Sequence, residues 1–125
     1  MITKSTYAKN VQSNAITSLL DDGTMTPSGL LNIYDATSGL LTTLHLSNPA
    51  FADATDGTAV AYTIYDATNF LTATATTFKF FNRNQTYVWG GSVSGISGGG
   101  DMQLNSTSFV ADETTSIFPA YYVVQ

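Results

Sequence analysis

The feature that most constrains this chain is a change of hydrophobic period at Gly23. From Ser5 to Leu20, the residues Tyr7, Ala8, Val11, Ala15, Ile16, Leu19 and Leu20 recur at spacings of three and four, the stripe of an amphipathic helix. Gly23 follows closely and makes a natural C-terminal stop, because glycine accepts the left-handed backbone that ends many helices. Asp21 to Ser28 form a polar linker. Beyond it the apolar residues come in short β-prone runs bounded by Gly, Pro, Asn, Asp and Ser, and no second helical stripe follows.

Eight runs are predicted as strands: Leu30 to Tyr34, Leu40 to Leu46, Ala59 to Tyr65, Leu71 to Thr76, Phe78 to Asn82, Tyr87 to Val93, Met102 to Phe109 and Ser116 to Val124. Turn signals at this spacing belong to a sandwich or barrel. The expectation is an all-β fold of about eight strands in two packed sheets with one N-terminal helix. Residues 1–23 are the arm and helix, with Met1 to Asn10 a loose arm, and 24–125 the β-sandwich, together one domain. Residues 94–100 are too rich in glycine for a regular strand and read as a mobile loop or a tight crossing. The pentapeptide from Ile33 to Thr37 recurs from Ile64 to Thr68, and both copies are expected to end a strand and open an Asx turn at the aspartate.

Composition narrows the function. The 125 residues support one core. Only 10% are charged, so the surface polarity must come from Thr, Ser, Asn and Gly. The net charge is -5 and the four basic residues, Lys4, Lys9, Lys79 and Arg83, form no cluster, which argues against nucleic acid as a partner. There is no cysteine, no apolar run that resembles a signal peptide, and none that approaches a membrane span, so no membrane partner is expected and synthesis in a cytoplasm is.

Chemistry is sparsely represented. His45 is the single histidine and lies on the strand face opposite Leu44 and Leu46, without a second group to form a nucleophile–base pair or a zinc site. Asp53 with Asp56-Gly57, and Asp21-Asp22-Gly23, lack the spacing and the closing glutamate of a calcium loop and read as turn residues. Asp112 and Glu113 are immediate neighbours and cannot be argued into opposed glycosidase carboxylates. The triple glycine from Gly98 to Gly100 has no phosphate-loop context. No catalytic residue, metal or cofactor is assigned, and the chain is read as a non-enzyme.

Aromatic residues remain. Neighbours on a strand point to opposite faces, so Phe80-Phe81 and Tyr121-Tyr122 cannot both enter one core. With Trp89 they are candidates for contact with another subunit or for stacking on sugar. The candidate interface comprises Tyr7, Lys9, Phe80, Phe81, Trp89, Tyr121 and Tyr122.

The order Asn14-Ala15 to Asp21-Asp22-Gly23, then Leu31-Asn32-Ile33-Tyr34-Asp35, then Leu44 to Phe51, resembles small virion proteins of tailed bacteriophages and prophages. The resemblance continues through Phe78 to Asn82, Trp89 to Val93 and Gly100 to Thr107, and so spans most of the chain. It implies a β-sandwich or jelly-roll capsid decoration (cement) protein without enzymatic activity, a homotrimer on the outside of a phage head whose partner is the major capsid protein. A neck, tail or fibre-attachment component is also compatible with it. Several members carry an arginine near the start of the first helix, where this chain has Lys9.

Overall fold

The computed structural model describes residues 3–117 and the backbone of 121–123. It is rich in β-structure with one α-helix, α1 (Thr6–Ser18), which continues as a 3₁₀ turn (Leu19–Asp21). The helix starts because the Ser5 hydroxyl accepts the Ala8 N–H at 3.1 Å, satisfying a first-turn donor with no partner inside the helix. The helical turns end at Asp21, because Asp22 is already extended (φ -75°, ψ 138°); the predicted stop, Gly23, lies one residue past that cap, at a φ of +118° that side chains avoid. The loose arm to Asn10 is therefore corrected: residues 6–10 are helical.

Among the described residues eleven short strands follow: β1 (Leu30–Tyr34), β2 (Leu40–His45), β3 (Thr58–Val60), β4 (Ala67–Thr68), β5 (Ala73–Thr74), β6 (Thr77–Phe81), β7 (Tyr87–Gly95), β8 (Met102–Leu104), β9 (Ser108–Phe109), β10 (Thr114–Thr115) and β11 (Tyr121–Val123). Five form a mixed sheet in the order β2-β1-β6-β7-β8, and six form the two-stranded ladders β10-β4, β11-β3 and β5-β9. Several predicted runs divide: Met102 to Phe109 becomes β8 and β9, and Ala59 to Tyr65 keeps only β3 and isolated bridges at Ala61 and Ile64. The predicted run from Ser116 to Val124 holds β11, while 118–120, 124 and 125 lie outside the described residues.

The glycine-rich segment is a tight crossing. β7 extends through Ser94 and Gly95, which pair with Gln103 and Leu104 in a parallel ladder. Parallel neighbours commonly need a crossover of about a dozen residues; residues 96–101 suffice here because the chain folds back along the strand it has just left. The Gly100 N–H donates to Ser94 Oγ at 2.9 Å, and Ser92 and Asp101 exchange reciprocal bonds, with Ser92 N–H to Asp101 Oδ2 at 3.0 Å and Asp101 N–H to Ser92 Oγ at 3.1 Å.

The repeated pentapeptide adopts two structures. Asp35 Oδ1 accepts the N–H groups of Thr37 and Gly39 at 2.9 and 2.7 Å, the expected Asx turn. The second copy departs from expectation: Ala67 and Thr68 pair with Thr115 and Thr114, and Asp66 takes a bond from the Ser116 hydroxyl at 2.6 Å. The residues just after each copy decide the difference. Ser38-Gly39 closes the first turn, whereas Asn69 anchors the end of the second copy as the strand Ala67–Thr68: its side chain donates to Val110 O at 3.2 Å and accepts from Thr115 Oγ1 at 2.6 Å.

One apolar core joins the sheet and the ladders. Leu31, Ile33, Leu44, Phe78 and Phe80 from the sheet meet Phe51, Ala59, Ile64, Phe109 and Ile117 from the ladders and loops. The helix joins this body in an inverted orientation. Of its stripe only Leu20 is fully buried, while Tyr7, Val11, Ala15 and Leu19 are exposed. The face that docks is polar: Asn10 Oδ1 accepts Gly57 N–H at 2.8 Å, Asn14 Oδ1 accepts Ala54 N–H at 2.7 Å, and the Ser13 hydroxyl donates to Gly57 O. Asp56 and Gly57, both at positive φ (53° and 81°), make a two-residue hairpin turn between Thr55 and Thr58. Its inward backbone groups need partners away from water, and three helical side chains supply them.

Candidate interaction surfaces

Antiparallel register fixes which side chains share a sheet face. Leu31 and Phe80 are paired, as are Phe80 and Trp89, and all lie on the core side. Phe80 is 3% exposed, and its ring meets those of Phe51, Phe78 and Trp89 at centroid distances of 6.1, 5.7 and 4.5 Å. Trp89 is half-buried and also packs on Phe51. These two candidate interface aromatics thus serve the core.

Asn32, Lys79 and Gly90 are paired in register and face the other way, so the opposite face is open to solvent. Here Lys79 Nζ sits 5.5 Å from the centroid of Tyr34 and 5.6 Å from that of Tyr87, within the range in which an ammonium is attracted by a ring face. Phe81 lies beside them, its ring 6.2 Å from Tyr87. A polar row continues the surface: Thr43 Oγ1 donates to Asn32 Oδ1 at 2.7 Å, and Asn32 Nδ2 donates to the Tyr34 hydroxyl at 3.1 Å. Tyr87 is 54% exposed and Lys79 is exposed. Among the described residues, Phe81 is the only interface candidate on this face. The sequence marks Tyr87 as one of several strand aromatics but does not group it with Tyr34 and Lys79, because the three lie on three strands and only register brings them together.

Tyr7 and Lys9 are exposed on α1. Tyr121 and Tyr122 pair through their backbones with Val60 and Ala59, and their side chains lie outside the described residues. The seven candidates are therefore divided among the core, the open sheet face, the helix and β11.

His45 is exposed on β2 opposite Leu30, between buried Leu44 and Leu46. Asp53 and Asp56 are exposed at the docked turn. Burial pushes the Asp21 carboxyl above its ordinary value, opposed by the Ala50 N–H that donates to Oδ1 at 2.9 Å. Bonds from the Gly39 and Thr37 N–H groups hold Asp35 below its ordinary value. Among the described residues no three His, Asp or Glu side chains gather as a metal site would require, and no helix is long and apolar enough to cross a membrane. Compared with known proteins, the chain matches no family model, no curated protein and no solved structure.

Proposed function

We propose that this chain is a structural virion component, a decoration protein that binds the outside of a tailed-phage head and stabilises it, with the major capsid protein and further copies of itself as partners. The assembly reading is carried by the open sheet face, where Tyr34, Phe81 and Tyr87 surround Lys79 on a surface otherwise built from short polar side chains. Aromatic side chains with a polar or cationic rim form the centre of many protein interfaces. The phage head as partner comes from the sequence resemblance alone. In this reading the three ladders, which share the core with the five-stranded sheet, act as the second layer of the sandwich or jelly roll.

The test is occupancy of intact phage heads that lack decoration protein, measured by co-sedimentation with wild type and with Tyr87→Ser and Lys79→Glu. Both variants change exposed side chains and should leave the fold intact while lowering occupancy about tenfold or more. Folded wild-type protein that does not bind heads would overturn the head reading.

A carbohydrate-binding module is the second reading, favoured by the hydrogen-bonded row of Thr43, Asn32 and Tyr34 beside an exposed tyrosine. Binding on a glycan array that Tyr87→Ser removes would support it over the first.

A further inference from the structure

The outward face of α1 has a chemistry of its own. Tyr7, Val11, Ala15 and Leu19 are successive i, i+4 neighbours, and exposure reaches 79% at Tyr7 and 48% at Val11. The helix cannot turn this stripe inwards, since Asn10, Ser13 and Asn14 hold its other side on the 54–57 turn.

The charges are also placed against the helix. Its first turn has no acid and its last no base; instead Lys4 and Lys9 stand near the N-terminus and Asp21 and Asp22 at the C-terminus. A helix alone prefers the reverse, because its N-terminal end carries partial positive charge and its C-terminal end partial negative charge. An antiparallel neighbour with the same sequence supplies that reverse, bringing its Asp22 beside this N-terminus and its Lys9 beside this C-terminus. A parallel neighbour would set like charge against like.

We propose that the outward face of α1 pairs with the same face of a second copy, antiparallel, across a twofold axis near Ala15. In that arrangement Val11 of each copy faces Leu19 of the other, Ala15 meets Ala15 where short side chains permit close approach, and Lys9 comes level with the Asp21-Asp22 turn. This is a twofold contact in place of the threefold ring that the resemblance implies. It does not depend on attachment to a phage head.

A helix of 13 residues is about 20 Å long, so the contact falls below the roughly 1,600 Å² of a standard stable interface and the dimer is weak. Sedimentation equilibrium of the full chain should show the mass rising from 13.3 kDa towards twice that value. The rise should fall within roughly 1 μM to 1 mM, and be steeper at low salt. Ala15→Glu, at an exposed helical position, should abolish the rise without lowering the melting temperature. Lys9→Glu and Asp22→Lys should each weaken association about tenfold, because the symmetry repeats every lost charge pair. Each should also raise the melting temperature of the monomer, since it corrects the charge against the helix dipole. The double variant Lys9→Glu with Asp22→Lys should associate again to within about threefold of wild type, the pairs being reversed rather than lost. A mass of one chain at every concentration, a trimer without a dimer, or a double variant that remains dissociated would each overturn the pairing.

Discussion

The side-chain oxygen of Asn14 accepts the backbone N–H of Ala54, 40 residues further along the chain, at 2.7 Å. With Asn10 and Ser13 it makes the polar side of α1 the adhesive one, reversing the usual arrangement in which a helix docks by its apolar stripe. The docked backbone explains the reversal. A tight hairpin turn presents N–H and C=O groups that no neighbouring strand can reach, and short amide and hydroxyl side chains can satisfy them.

Substitutions on α1 should therefore act in an inverted order. Asn14→Ala leaves the Ala54 N–H without its acceptor and should cost about 1–3 kcal/mol. Val11→Ser, on the exposed stripe, should change monomer stability by less than about 0.5 kcal/mol. Chemical denaturation at low protein concentration measures both, and a larger loss for Val11→Ser would refute the docking geometry.

Asn69 ties β4 to the segment that contains β10. It is 4% exposed, its side chain bonds Val110 O and Thr115 Oγ1, and its own N–H donates to Glu113 O at 2.8 Å. Asn69→Ala removes a donor and an acceptor from partly buried partners and should cost about 2–6 kcal/mol, summing two such losses. Hydrogen exchange should show the loss as faster exchange at Asn69, Asp112 and Glu113, with the five-stranded sheet unaffected.

Stability in acid should follow Asp35 and Asp21 in opposite directions. The Asp35 carboxyl lies below its ordinary value of 3.8, so its contribution is present above that value and is lost as the pH falls through the folded-state value. Asp35→Asn should flatten this acid-side loss. Asp21 is raised by burial, so its ionisation favours the unfolded chain, and that cost appears as the pH rises through its folded-state value. Asp21→Asn keeps an acceptor for Ala50 N–H without the buried charge, and at neutral pH it should equal or exceed wild type in melting temperature. Asp21→Ala should lower it. Thermal melts from about pH 2 to 7 read all three, spanning the ordinary carboxylate range. A stability loss in Asp21→Asn as large as in Asp21→Ala would show that the charge itself is needed.

Phe80 and Phe81 are adjacent and opposite in role. Phe80→Ala empties a site enclosed by Phe51, Phe78 and Trp89 and should cost about 3–5 kcal/mol. Phe81→Ala removes a half-buried ring on the open face and should cost less than half as much. Comparable losses would mean that the open face is covered within the monomer.

What the sequence settled by itself was local. The helix between Ser5 and Leu20, the limits of β1, the Asx turn at Asp35 and the opposition of Phe80 to Phe81 all follow from side-chain period and turn chemistry, which neighbouring residues decide. The tertiary structure settled whatever depends on a distant partner. The face by which α1 docks depends on backbone in a turn 40 residues beyond Asn14, which the helical stripe cannot register. The second Ile-Tyr-Asp-Ala-Thr copy ends in the strand Ala67–Thr68 because Asn69 finds Val110 and Thr115. The crossing at residues 96–101 is parallel because Ser94 and Gly95 find Gln103 and Leu104. Tyr34, Lys79 and Tyr87 form one surface only through the register of β1, β6 and β7. Periodicity reports which side chains could share a face; hydrogen-bond partners far along the chain decide which face is turned to the core.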